Sequence, residues 1–268
     1  MMRKLYWQLR GALHRRLHPT DTVLSPHDWA DAVARHLPES ARRDRVVVVD
    51  GGAHDGAWAC AFAHRMIAGP CAAAAVEVHA FEPNTDLWPR LERNLAGIPG
   101  GRYAMALAER SGAATMHINA SPMTSSMLPR GEFAQRYFDE VTRLAEGREV
   151  PTVTLDDWFD RSGLDRVDVL KLDLQGFEAQ ALRGAARLLR RGVGCVFTEV
   201  SFVELYRGQA QFGEIDSLMR SMGYRLYNLY HLATKNRDGQ LNGADALYIP
   251  DARAAAGPAL RLCTGDAA

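Results

Sequence analysis

Three acidic residues close short apolar runs and stand before turns, where a carboxylate can grip hydroxyls, amines or cations. Asp50 ends Val46-Val47-Val48-Val49 and precedes Gly51-Gly52-Ala53-His54-Asp55-Gly56. Glu82 lies in Phe81-Glu82-Pro83-Asn84, and Asp173 in Val169-Leu170-Lys171-Leu172-Asp173-Leu174-Gln175-Gly176-Phe177-Glu178. Glycines after the first run let the backbone approach a ligand, and a helix starting there offers free N–H groups. Lys171, set inside an apolar run, needs a partner when buried and is expected to pair with one of these carboxylates.

The glycine spacing alone is a weak signal, because it recurs in dinucleotide-binding turns and by chance. Charge discriminates better. An acid one residue before the first glycine repels a pyrophosphate but attracts the ammonium and sulfonium of S-adenosylmethionine; the bland alternative is that Asp50 only caps the turn. Glu82 can accept from both hydroxyls of a ribose, which argues for an adenosine-containing ligand, or it can serve a helix that Asn84 opens. Asp173 would face the cationic end of such a cofactor and the acceptor.

The elements that must position these residues follow from periodicity. Val46 to Asp50 reads as a strand buried on both faces, and Ala57 to Ile67 as the helix after its turn. A strand at Val76 to Glu82 and a helix through Leu87, Leu91 and Leu95 follow. Further strands are expected at Arg102 to Ala108, Ala113 to Ile118, Val167 to Asp173, Val193 to Val200, Arg225 to Leu229 and Ala246 to Ile249. Helices are expected over Phe177 to Leu189 and Phe212 to Met222. Strands alternating with helices predict an α/β, Rossmann-like fold with a mainly parallel, seven-stranded, doubly wound sheet. Ligands in such sheets bind beyond the carboxyl ends of the strands, where all three acids fall.

Residues 46–250 are expected to form this domain, with an inserted segment at about 123–150 containing a helix through Phe133, Tyr137, Phe138, Val141 and Leu144. That insertion is either a lid or surface decoration. Residues 1–45 read as an appended helical extension. Leu5, Leu9, Leu13 and Leu17 form one stripe beside Arg3, Lys4, Arg10, Arg15 and Arg16, suited to docking on the domain or to a peripheral membrane or partner contact. Ser25-Pro26-His27-Asp28 then starts a second helix carrying Trp29, Val33 and Leu37. Residues 251–268 read as a fraying tail.

Composition narrows the function. The 268 residues carry 32 Lys and Arg against 32 Asp and Glu, so no global field draws the chain onto nucleic acid. Cys60, Cys71, Cys195 and Cys263 form no CxxC pair, which suits neither a zinc cage nor a disulfide framework and fits a cytoplasmic protein. No run of about eighteen apolar residues occurs, and no secretory signal is evident.

Taken together, Val49-Asp50-Gly51-Gly52-Ala53, Phe81-Glu82-Pro83, Val153-Thr154-Leu155-Asp156 and the stretch Val167 to Glu178, followed by Leu182 and Gly184, resemble the motifs of the FkbM-type methyltransferases. Glu199-Val200, Leu205-Tyr206, Gly208-Gln209, Phe212 and Asp245-Ala246-Leu247 extend the resemblance, which runs in order over about Val46 to Ile249. It implies a class I methyltransferase fold, S-adenosylmethionine as cofactor, and O-methylation of a hydroxylated small molecule such as a sugar or polyketide. Asp50, Gly51, Gly52, Ala53, Gly56, Glu82, Pro83, Asn84 and Asp173 are the expected cofactor-binding set. His54-Asp55 departs from the family pattern, which commonly has Asn and a small or apolar residue there, and so puts the turn contacts in doubt.

Methyl transfer to a hydroxyl calls for alignment and for a base or metal to remove its proton. Asp173, Glu199 and His231 are the candidates, and Tyr206 and Gln209 are candidate acceptor ligands. His231, beside an aromatic cluster, and Tyr206 read equally well as structural. Asp173 and Glu199 could share a divalent metal, but two carboxylates are too few ligands and no metal is assigned. The rival enzyme is a nicotinamide-dependent dehydrogenase or epimerase; Asp50 before the glycines and the lack of a Tyr-x-x-x-Lys pair weigh against it. The remaining alternative is a non-catalytic module that binds an adenosine ligand or a partner.

Overall fold

A computed structural model of the chain describes residues 28–69, 72–234 and 239–251. The leucine stripe, the Ser25-Pro26 start of the second helix and all but the first residue of the tail lie outside the described residues. Helices α1 (Asp28–His36) and α2 (Glu39–Arg43) lead into β1 (Val46–Gly51), then α3 (Ala57–Ala68), β2 (Val76–Phe81), α4 (Trp88–Asn94) and β3 (Arg102–Tyr103). Next come β4 (Ala106–Leu107), β5 (Gly112–Asn119), α5 (Glu132–Tyr137), α6 (Asp139–Thr142), β6 (Leu144–Val153) and α7 (Leu155–Ser162). The chain continues through β7 (Val167–Leu172), α8 (Glu178–Arg183), α9 (Ala186–Gly192), β8 (Val193–Ser201), α10 (Phe212–Ser221), β9 (Tyr224–Thr234) and β10 (Leu241–Pro250).

Seven strands form one sheet in the order β3-β2-β1-β7-β8-β10-β9. The first five run parallel, and β10 pairs antiparallel with both β8 and β9. β1 and β7 are buried at every position, because helices cover both faces. On one face α1, α3 and α4 bring Trp29, Val33, Leu37, Phe62, Met66 and Leu91 onto Val48, Val169 and Phe197. On the other, α7 to α10 bring Trp158, Leu182, Leu189, Ile215 and Met219 onto Val49, Leu170 and Tyr248. Alternation along each strand feeds both layers, the arrangement that a doubly wound sheet requires. Among the described residues no helix is long and apolar enough to cross a membrane.

Three elements differ from the sequence reading. Arg102 to Ala108 is not one strand: β3 ends the large sheet, while β4 belongs to a second sheet of order β4-β6-β5. The helix expected through Leu144 is two short helices, and β6 follows, antiparallel to β5. β6 is exposed over most of its length and carries Glu146, Arg148, Glu149 and Pro151, so it lacks the alternating apolar signal of a strand. The helix over Phe177 to Leu189 breaks at Gly184-Ala185. Asp156 of α7 causes the break: its N–H takes the Gly184 carbonyl (2.9 Å), and its carboxylate caps α9 at the Arg187 and Leu188 amides.

Candidate functional site

One cleft of about 240 Å³ opens over the carboxyl ends of β1, β2 and β7. Its floor is Gly52, Ala53 and His54, one end is Glu82 and Pro83, and the other is Asp173, Leu174 and Gln175. The facing wall comes from the second sheet and its loop, with Met105, Leu107, Met116, Met123, Ser125, Ser126 and Met127.

The floor takes its shape from close contact. Gly52 has φ +70, and a Cβ there would lie 2.0 Å from the Asp173 carbonyl oxygen, so only glycine lets the turn press against the β7 loop. The Gly52 and Ala53 amides both donate to the Phe81 carbonyl (3.0 and 2.9 Å), which ties the turn to β2. His54 is also left-handed, and its amide donates to Glu82 Oε2 (2.8 Å) while the Asn84 amide donates to Oε1 (2.7 Å). Glu82 is thus clamped by main chain at both oxygens, and burial pushes its carboxyl up to about 7 against those bonds.

Asp50 does not line this cleft. It is fully buried, with Lys171 Nζ 3.0 Å from its Oδ1; that ammonium also donates to the carbonyls of Gly51 (3.3 Å) and Gly52 (3.1 Å). Burial pulls the Lys171 ammonium down, but the carboxylates of Asp50 and Asp173 outweigh it and carry Lys171 up to about 12. The charge expected to attract the cofactor is therefore taken up by a buried ion pair, and Lys171, which does line the cleft, stands where Asp50 was expected to act. Gly51 and Gly56 also lie behind the wall. Gly56 packs against Leu91 and Leu95, and Asn84, 1% exposed, caps the following turn at Asp86.

At the other end Asp173 reaches the cleft with its side chain 45% exposed, and its Oδ2 lies 3.8 Å from Lys171 Nζ. Gln175 Nε2 donates to Asp173 Oδ1 (2.9 Å) and to Glu199 Oε2 (3.2 Å). Glu199 sits behind Gln175, off the cleft wall; burial and then the charges of Asp173, Glu178 and Asp245 raise its carboxyl well above the usual range. Glu178 accepts from the Leu174 (2.7 Å) and Gly176 (3.3 Å) amides, and burial pushes it up to about 7.

The structure does not bring His231, Tyr206 or Gln209 to the cleft wall. His231 lies in a left-handed kink of β9, its Nδ1 2.6 Å from Asp245 Oδ2. Tyr206 is buried, its hydroxyl shared between Gln175 Oε1 (2.8 Å) and the Thr124 carbonyl (2.9 Å). Gln209 is satisfied internally: Oε1 accepts from the Leu205 and Tyr206 amides, and Nε2 donates to Ser201 (2.7 Å). Among the described residues no group of three or more His, Cys, Asp or Glu is arranged to hold a metal ion.

Residues missed in the sequence are the four methionines of the facing wall, Trp58 and Gln175. Trp58 stacks on Trp29 and Phe62 and presents its ring 5.6 Å from Lys171 Nζ. Gln175 was visible inside the Asp-Leu-Gln-Gly turn, but a glutamine there gives no sign of which way its amide points.

Residues 50–226, well over half of the chain, match the model of the methyltransferase FkbM domain. The chain is 24% identical over 197 residues to the 2-O-methyltransferase NoeI of Sinorhizobium fredii (strain NBRC 101917 / NGR234), covering 70% of this chain and 77% of that protein. Among solved structures it is similar to a methyltransferase FkbM from Methylobacillus flagellatus KT, at 17% identity and TM-score 0.46, over 79% of this chain and 48% of the other. The chain thus spans about half the length of that protein. Another is magnesium protoporphyrin IX methyltransferase from Synechocystis PCC 6803 with bound SAM, at 10% identity and TM-score 0.44, over 88% and 89% of the two chains. On the family match, the chain belongs to the FkbM methyltransferase family, and its cofactor is S-adenosylmethionine.

Proposed function

We propose that the chain transfers a methyl group to a hydroxyl oxygen of a small molecule, a sugar, a polyketide or a related natural product, in the cytoplasm. The observation that carries this reading is the pair Glu82 and Asp173, set at opposite ends of one cleft with the Gly52-Ala53-His54 turn between them. Each Glu82 oxygen uses one lone pair on a main-chain amide, which leaves the carboxylate able to accept from a ribose diol. Phe81, Met105 and Leu107 offer an apolar wall that suits a flat heterocycle. When bound, the cofactor supplies a methyl group already activated by a sulfonium.

Alignment and proton removal fall to the protein. Of the candidate bases, Asp173 alone lines the cleft, so it is assigned to accept the proton of the acceptor hydroxyl. Lys171 and Gln175 hold its two oxygens. Met116, Met123 and Met127 form the acceptor wall; unbranched and polarizable, they fit an acceptor with an apolar face beside its hydroxyl. The kinship with a 2-O-methyltransferase supports oxygen as the methylated atom.

Calorimetric titration with S-adenosylmethionine, S-adenosylhomocysteine and NAD tests the cofactor half, and transfer of labelled methyl across a panel of hydroxylated sugars and polyketides tests the other. Binding of the first two ligands but not NAD, with the label recovered in an ether linkage, is the expected result. Selective NAD binding, or the label on nitrogen or carbon, would overturn the proposal.

A further inference from the structure

Gln175 joins parts of the molecule that are otherwise separate. Its backbone is left-handed (φ +55), a conformation that a residue with a side chain holds only when its surroundings impose it. Those surroundings are hydrogen bonds on every polar atom of the side chain and on the main-chain oxygen. Nε2 donates to Asp173 Oδ1 (2.9 Å) and Glu199 Oε2 (3.2 Å), and Oε1 accepts from the Tyr206 hydroxyl (2.8 Å). The main-chain oxygen accepts from Ser126 Oγ (2.7 Å). The acceptor oxygen of Asp173 on one side and the hydroxyl donor of Tyr206 on the other fix the amide in one orientation, with the NH2 group toward Asp173 and the carbonyl oxygen toward the phenol.

The consequences fall on Asp173 and on the insertion. Asp173 stands at a strand end with nearly half its side chain exposed, a position from which a carboxylate turns freely. Its other neighbour, Lys171, is 3.8 Å away and already committed to Asp50 and two carbonyls, so the 2.9 Å bond from Gln175 is its shortest tether. Meanwhile Ser126, and Thr124 through Tyr206, bind the loop carrying Met123 and Met127 to the same residue.

We propose that Gln175 is a positioning residue: it fixes the Asp173 carboxylate at the methyl-transfer end of the cleft and holds the methionine-lined acceptor wall in register with it. This rests on the methyltransferase reading above. A glutamine serving only to shape the turn would affect every ligand of the cleft alike. One that positions Asp173 affects only ligands with a positive group at the methyl-transfer end.

Two cofactor analogues separate these cases. Sinefungin carries an ammonium on carbon where the methyl-bearing sulfonium stands, and S-adenosylhomocysteine has no charged group there. Both are titrated by calorimetry onto the full chain, as wild type, Asp173→Asn, Gln175→Met and Tyr206→Phe. Wild type is expected to prefer sinefungin by about tenfold, the scale of one charge-assisted hydrogen bond in a half-exposed site. Asp173→Asn should abolish the preference. Gln175→Met should cut it by about fivefold and Tyr206→Phe by about twofold, with S-adenosylhomocysteine affinity unchanged within about twofold, which also shows that the variants fold. A full preference in Gln175→Met, a proportional loss of both ligands, or no preference in wild type would overturn the inference. Failure of wild type to bind either ligand would instead overturn the methyltransferase reading itself.

Discussion

The two ends of the cleft hold their carboxylates by different means. At the β1–β2 end Glu82 is gripped by the main-chain amides of His54 and Asn84, so its placement depends on the path of two turns. At the β7–β8 end Asp173 and Glu199 are gripped by one side-chain amide, that of Gln175, itself held by a phenol, while a serine holds the main-chain oxygen of the same residue. A main-chain clamp is set by turn geometry and survives most side-chain changes nearby; a side-chain clamp lasts only while each member keeps its length and donor pattern. Lys171 stands between them, bonded to the β1 turn and facing the acid of β7.

Changes at these ends should therefore differ in size and kind. The largest effect is expected from Lys171→Met, which strands Asp50 as an uncompensated buried charge and should cost about 3–5 kcal/mol in urea unfolding. Adding Asp50→Leu should recover most of that loss; a double variant as unstable as the single one would show that the pair does not act as a unit. Glu82→Gln keeps an acceptor for one of the two main-chain amides and sets an NH2 group against the other. It should weaken S-adenosylhomocysteine binding by about 2 kcal/mol, roughly thirtyfold by calorimetry, and a loss below threefold would show that the clamp does not present this acid to the ligand.

Acidity gives the next effect, with opposite signs for stability and binding. The Glu82 carboxyl titrates at about 7 in the folded chain against an ordinary 4.5, so the folded state holds its proton more tightly. Its stabilising contribution is full below the unfolded value and is lost as pH rises through the folded one; Glu178, also at about 7, acts the same way. Tm of the free protein should thus fall between about pH 5 and pH 8. Ribose hydroxyls need the ionised acid, so S-adenosylhomocysteine affinity should instead fall about tenfold from about pH 8 to pH 6. Parallel trends in both quantities would rule out Glu82 as the ribose ligand. The smallest effect is Tyr206→Phe, whose hydroxyl bond should be worth about 1 kcal/mol in unfolding, without change in S-adenosylhomocysteine affinity.

The main-chain end was the more legible one. Asp50, the glycine turn and Glu82 announce themselves because buried parallel strands are unbroken apolar runs, and an acid that ends such a run is conspicuous. What the run could not reveal is the partner: Lys171 lies far along the chain, and only the β1–β7 register sets Asp50 beside it. At the other end Asp173 and Glu199 were visible as strand ends, whereas the orientation of Gln175 and the burial of Tyr206 depend on contacts with the insertion. The insertion itself was opaque because β6 is a ribbon strand whose outward residues are charged, and its Arg148 reaches across to Asn84 and Asp86. His231 was misleading for a local reason: the bulge in β9 turns it toward Asp245, away from the cleft.

The reversed strand β10 lies between β8 and β9, although it follows both in the chain. During synthesis β8 emerges with its outer edge open and must wait for about forty more residues before its neighbour exists. An unpaired edge of mostly buried residues invites pairing with another nascent chain. Correct assembly of this part of the sheet, where Glu199 of β8 pairs with Asp245 of β10, is therefore a late event. Production of this protein is expected to be limited by encounters between such open edges, and weaker induction, which lowers the number of nascent chains at once, should raise its soluble yield.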